Sequence, residues 1–256
     1  MGILGEKVAV ISGSTRGIGE GIAREMLAEG AHVWITGRDR ERLDTATSGF
    51  RDEFGDHVHS FQGDLSRLET IRDLVRRVTD ESGRLDVVVA NIGSGRSKMG
   101  WDVEDAIFRE SFDINFFPAV TLARESLRVM LGQKSGCITF IASIAGIEAI
   151  PAPVPYSAAK AALLRYMKST AAVVAPSGVR MNAVSPGNVY VEGGTWGIRM
   201  KDDPVGTKRY IEENVPMKRF GMPGEIGRLV CFLSSDQASF ITGANIIIDG
   251  GQTRGF

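Results

Sequence analysis

Tyr156 and Lys160 stand four residues apart at the head of a long, mostly apolar stretch, Tyr156-Ser157-Ala158-Ala159-Lys160. On a helix this spacing places phenol and ammonium on one face, one turn apart. A free phenol titrates near 10, a poor match to neutral pH. A neighbouring ammonium favours phenolate, so the pair predicts a lowered Tyr156 pKa and a proton exchanged with an alkoxide. Ser143 follows an apolar run of strand length and can hold a substrate oxygen beside the phenol. With four tyrosines in the chain, the pair alone is moderate evidence. Its weight comes from the company it keeps.

That company is a glycine-rich turn, Ser12-Gly13-Ser14-Thr15-Arg16-Gly17-Ile18-Gly19, between an apolar run and a helical pattern. Gly13 permits a tight turn, Gly17 lets backbone approach a diphosphate, and Gly19 allows the helix to pack closely. The helix N-terminus then offers unpaired N–H groups and the positive end of its dipole to an anion. Residues 13–19 are therefore the expected phosphate cradle. The next strand ends in Thr36-Gly37-Arg38-Asp39. An acidic residue there would bind the ribose 2′-hydroxyl of NAD. Gly37 stands in its place, and Arg38 and Arg16 can both meet a 2′-phosphate. NADP(H) is expected in preference to NAD(H); the alternative is a solvated Arg38 with Asp39 turned in to bind NAD.

Positioning these groups takes an alternating chain. Strands are read at 7–12, 32–36, 58–62, 85–90, 137–142, 179–184 and 245–249, and helices at 17–29, 39–54 and 66–81. Strand, helix, strand repeated from end to end implies an α/β single-domain Rossmann fold. Its doubly wound parallel sheet has about seven strands, with helices on both faces. Residues 1–256 show no linker or repeat and read as one dinucleotide-binding and catalytic domain. The irregular stretch at 187–223, rich in Gly, Pro and charge, reads as a substrate loop, and Gly193 and Gly194 could hinge a lid. Residues 94–101 and 187–215 should frame the substrate, with Met99, Trp101, Glu148, Tyr190, Trp196 and Met200 as pocket candidates; each could equally be satellite packing.

Thirty basic against thirty-one acidic residues give a net charge of −1, which offers no global field for nucleic acid. No apolar window approaches bilayer length and the N-terminus carries no leader pattern, so no membrane partner and a cytoplasmic location are expected. Cys137 and Cys231 lack metal-ligand spacing and read as buried thiols; no metal site is expected. The segment 115–130 and the helix after Tyr156 look too apolar to face water, which points to self-association.

The chain resembles the short-chain dehydrogenase/reductase family, in its 3-oxoacyl-[acyl-carrier-protein] reductase-like branch, from the Gly13 loop to Ile248-Asp249-Gly250-Gly251. The resemblance implies a Ser143-Tyr156-Lys160 catalytic set completed by Asn115, in Asp113-Ile114-Asn115. It implies Tyr156 as acid/base, Ser143 as carbonyl polariser, Lys160 on the nicotinamide ribose, and Asn115 positioning a relay water. It further assigns Asp64-Leu65 to the adenine, Asn91 and Gly93 to the wall beside the adenine ribose, and Pro186-Gly187 with Val189 to the nicotinamide. Homotetramers, with dimers as the smaller form, are implied as well. Three departures stand out: Ala90-Asn91-Ile92-Gly93 lacks the family's first Asn, Ala90 and Ile92 make that wall more apolar, and Val191 replaces a threonine whose contact Thr195 could supply. The expected activity is hydride transfer between nicotinamide and a small-molecule carbonyl/alcohol pair, such as a 3-oxoacyl thioester or other ketone. Two other readings are a silent NADP(H)-binding sensor or scaffold, and a sugar-nucleotide epimerase or dehydratase; the short tail after Asp249 argues against the latter.

Overall fold

The apolar runs become seven strands of one sheet: β1 Val8–Ile11, β2 His32–Gly37, β3 Val58–Gln62, β4 Val87–Ala90, β5 Gly136–Ile141, β6 Val179–Pro186 and β7 Asn245–Ile248. They lie in the order β3-β2-β1-β4-β5-β6-β7, and every neighbouring pair is parallel. The structure, a computed structural model, describes residues 2–255.

All four residues of β1 and of β4 are buried, because helices cover both faces of the sheet. Helices α1 (Gly17–Ala28), α2 (Arg40–Phe54) and α9 (Pro223–Ser234) lie on one face. Their Ile22, Met26, Leu43 and Val230 pack with Ala9 and Ile11 of β1. On the other face α3 (Leu68–Ser82), α5 (Phe117–Gln133) and α6 (Val154–Val174) bring Leu74, Leu122 and Leu163 against Val8 and Val10. Alternate β1 residues thus serve opposite cores, as the two-residue period of a strand requires. Each fully buried Ile or Leu contributes about 1.5–3 kcal/mol.

From β1 the chain winds outward through β2 and β3, then returns to β4 and winds the other way. The reversal opens a crevice at the carboxyl ends of β1 and β4, where ligands bind in such sheets. Helix α4 (Asp105–Asn115) precedes α5, and the two break at Phe116. Pro118 has no N–H to give the Ile114 carbonyl, so one long helix cannot run through. Asn115 is left at the break.

The stretch read as irregular carries two helices, α7 (Thr195–Asp202) and α8 (Pro204–Asn214). Asp203 caps α8, its carboxylate accepting from the Gly206 N–H at 2.8 Å. An Asp before a Pro is a helix-start signal, and it was legible at Asp203-Pro204. β6 continues to Pro186, two residues past the apolar run, where the Ser185 hydroxyl donates to Asn245 Oδ1 at 2.7 Å. No helix among the described residues is long and apolar enough to cross a membrane.

Candidate active site

The turn after β1 is held from below. Asn91, just beyond β4, donates from Nδ2 to the carbonyls of Ser12 (2.9 Å) and Gly13 (3.1 Å). The Ser12 hydroxyl accepts from the N–H groups of Asn91 and Ile92. A Cβ on Gly19 would stand 2.3 Å from the Gly13 carbonyl oxygen and 2.6 Å from Asn91 Nδ2, so only glycine lets the helix approach this closely. The Asn91 side chain therefore braces the loop, which leaves its backbone for the ribose wall expected of it. Ser14 also departs from expectation. It is fully buried, its hydroxyl donates to the Ile11 carbonyl and accepts from the Thr36 N–H, and its own N–H donates to Thr36 O. Gly13 N–H donates to the Thr36 hydroxyl. The polar groups of Ser14 are committed within the fold, and the anion-facing part of the loop is shorter than residues 13–19.

What remains is the start of α1. Arg16 is its N-cap, extended and without a side-chain cap bond. The N–H groups of Gly17, Ile18 and Gly19 have no intrahelical partner. An uncapped helix start at the switch-point crevice fits a diphosphate.

At the ribose end, Arg38 is exposed just past β2, while the exposed Arg16 has its Nη1 3.9 Å from a Cβ built on Gly193. Asp39 is the N-cap of α2: Oδ1 accepts from the Arg42 N–H at 3.0 Å and Oδ2 lies 3.6 Å from Arg42 Nε. Asp64 accepts from the Ser66 N–H at 3.1 Å; this bond, helped by Arg38 and Arg67, holds its carboxyl below the usual range against some desolvation. The Leu65 side chain is in the core, which leaves only its backbone for an adenine.

Beyond β4 and β5 the four expected catalytic residues gather. Tyr156 lies in the first turn of α6, behind Pro155 at the helix start. Ser143 follows β5 by two residues; its Oγ accepts from the Ala145 N–H at 3.1 Å and faces the Tyr156 phenol closely enough to oppose the rise of its pKa. The buried Lys160 donates from Nζ to the Ile141 carbonyl at 2.8 Å and lies 5.9 Å from the Tyr156 ring centroid. A Cβ on Gly93 would come within 2.8 Å of Asn115 Oδ1 and 3.2 Å of Lys160 Nζ, which places all three side by side. Asn115 donates from Nδ2 to the Ser111 carbonyl at 3.0 Å and accepts at Oδ1 from the Ser94 N–H at 2.8 Å. One N–H and the oxygen of its amide thus tie Asn115 to α4 and to the loop after β4.

The electrostatics differ from the lowered phenol predicted above. Burial pushes the Tyr156 phenol above its ordinary value, opposed by the Ser143 hydroxyl. Burial also lowers Lys160 from 10.5 to about 8. The ammonium faces a carbonyl rather than the phenol oxygen, so the expected depression of the Tyr156 pKa is absent. At neutral pH the phenol keeps its proton.

Past β6, the Gly187 N–H donates to the Ile248 carbonyl at 3.0 Å, which ties the Pro186-Gly187 turn to β7, and Val189 is buried in a bridge to Gly221. Thr195, at the start of α7, and the Tyr156 ring both lie 4.0 Å from a Cβ built on Gly95, so Thr195 does return toward the site. Trp196 and Tyr190 are both packed in an aromatic cluster. Trp196 stacks on Tyr210 (centroids 5.2 Å) and packs on Phe220, which also meets Tyr190. Glu148 ties down the C-terminal stretch: Oε1 accepts from the N–H groups of Arg254 (2.6 Å) and Gly255. Met99 and Trp101 are exposed.

A doubly wound parallel sheet, an uncapped helix at its switch point, and a Ser-Tyr-Lys-Asn cluster beside it define a nucleotide-binding protein of Rossmann type. The family model described as Enoyl-(Acyl carrier protein) reductase matches residues 13–253. The 3-oxoacyl-[acyl-carrier-protein] reductase FabG of Aquifex aeolicus (strain VF5) is 32% identical over 245 residues, 96% of each chain. The uncharacterized oxidoreductase YvrD of Bacillus subtilis (strain 168) is 34% identical over 263 residues, 98% of each chain. The L-sorbose reductase of Gluconobacter frateurii, solved with NADPH and L-sorbose, covers 100% of both chains at TM-score 0.92 and 30% identity. The chain belongs to the short-chain dehydrogenase/reductase family and is a pyridine-nucleotide-dependent oxidoreductase. A silent scaffold finds no support among these relatives.

Proposed function

We propose that the protein is an NADP(H)-dependent reductase of a ketone, a 3-oxoacyl thioester or a comparable carbonyl compound. One observation carries this reading: Ser143, Tyr156, Lys160 and Asn115 meet beyond β4 and β5, beside the switch-point crevice onto which an uncapped helix start opens. Bound NADPH supplies the hydride. The chain supplies the rest. The Gly17–Gly19 N–H groups hold the diphosphate, the backbone at Asp64-Leu65 meets the adenine, and Pro186, Gly187 and Val189 flank the nicotinamide.

Ser143 donates to the carbonyl oxygen and polarises it, and the Tyr156 phenol gives that oxygen its proton. A phenol kept protonated by burial suits reduction at neutral pH. Lys160 holds the nicotinamide ribose and recharges the proton path. Asn115 keeps Gly93 and Ser94 against Lys160, which is a positioning role.

Preference for NADP(H) rests on three features of the β2 tip. Gly37 offers no carboxylate, Arg38 next to it is exposed, and Asp39 is occupied as a helix cap. We expect kcat/KM with NADPH to exceed that with NADH by about 100-fold. Arg38→Ala should lose about 10- to 100-fold of the NADPH value, as expected for a charge-assisted contact, with little change for NADH. Steady-state assays on a panel including 3-oxoacyl thioesters and ketoses measure this, and a preference for NADH would overturn it.

A homotetramer, with a dimer as the smaller alternative, is supported by the exposed Phe117, Leu131, Val154 and Val173 on α5 and α6. Two buried, unpaired cysteines suit a cytoplasmic location.

A further inference from the structure

We propose that Arg96 is a positioning residue that latches the lid across the cofactor's diphosphate cleft and sets how fast the nucleotide leaves; this rests on the reading just given. Arg96 lies on the loop after β4, outside the catalytic cluster. Its Nη2 donates to the Gly193 carbonyl at 3.0 Å, ninety-seven residues away on the loop after β6. The bond crosses the cleft between the two stretches that frame the substrate.

The segment that Arg96 holds lies over the anion site. A Cβ on Gly17, first residue of α1, would be 2.9 Å from Val191 Cγ1, so the lid's first turn covers the helix start. Gly193 has φ +64, a left-handed conformation that glycine adopts without strain, and the turn closes with the Gly194 N–H donating to Val191 O at 3.0 Å. From there α7 is packed onto α8 and the segment after it, because Trp196 is stacked on Tyr210 and packed on Phe220.

The latch is also tied to the catalytic cluster. Asn115 accepts from the Ser94 N–H, and the Ser94 hydroxyl accepts from the Arg96 N–H at 3.2 Å. Lys98, two residues on, is paired with Glu104 and Arg199 lies over Trp196, so neither duplicates the contact. The sequence alone gave no sign of Arg96, because its partner is a backbone carbonyl far along the chain.

Stopped-flow displacement of NADPH, followed by its fluorescence in the full-length protein, tests the latch. Arg96→Ala should release NADPH about five- to tenfold faster, the effect of one exposed charge-assisted hydrogen bond. The association rate and melting temperature should stay unchanged, because the side chain is exposed. Arg96→Lys, which keeps the charge and a donor, should fall between the two. Release at the wild-type rate, or a loss confined to association, overturns the latch while leaving the cofactor assignment intact. Failure of the wild-type protein to bind NADPH overturns both.

Discussion

Tyr156→Phe is expected to lower turnover by about 1,000-fold while NADPH binding stays within about twofold of wild type. The ring is kept, so the packing at the head of α6 survives, and only the hydroxyl that meets Ser143 is lost. A positioned general acid contributes about 100- to 10,000-fold, and 1,000-fold corresponds to about 4 kcal/mol of barrier. Ser143 can still polarise the carbonyl, so a residual rate should remain. Single-turnover oxidation of bound NADPH measures the step directly. Wild-type rates in the variant would remove the phenol from the chemistry.

Lys160→Met should produce two opposite effects. Activity falls, by about 100-fold or more, because the ribose contact and the buried charge are lost. Stability rises. The lysine's pKa is lowered in the folded protein from 10.5 to about 8, so folding disfavours its charged form. That penalty is fully present below about pH 8 and is relieved as pH rises toward 10.5. Its size is about 3 kcal/mol, and the unpaired Ile141 carbonyl would return about 1 kcal/mol of it. The variant should therefore melt a few degrees higher at pH 7, the response expected of a chain this long to a net gain near 2 kcal/mol. Wild-type reductase activity should decline above about pH 8 as the ammonium discharges, and the residual activity of the variant should lack that limb. A variant that melts lower at pH 7 would contradict the burial argument.

The alternation of apolar runs with amphipathic stretches made the strands legible, most plainly the inner ones, because a sheet buried on both faces requires unbroken apolar segments such as Val87–Ala90. The Tyr156–Lys160 spacing and the glycine turn located the site for a similar reason: both are local, within one helical turn or one loop. Features built from distant residues were not legible. Asn91 braces the glycine loop from seventy-eight residues away, and Glu148 holds the backbone at Arg254. Spacing placed Lys160 near Tyr156, but only the fold shows its ammonium turned to the Ile141 carbonyl, which is why the predicted pKa direction for the phenol was reversed. The packing of Trp196 on Tyr210 and of Tyr190 on Phe220 was not legible either, because the partners stand fourteen and thirty residues further along the chain.

A crystal structure of the NADPH complex tests the central claim most directly. The diphosphate is expected on the Gly17–Gly19 N–H groups, the 2′-phosphate at Arg38, and the nicotinamide between Pro186-Gly187 and the Tyr156 hydroxyl. A nucleotide bound with its nicotinamide out of reach of Tyr156, or a diphosphate away from the start of α1, would contradict it.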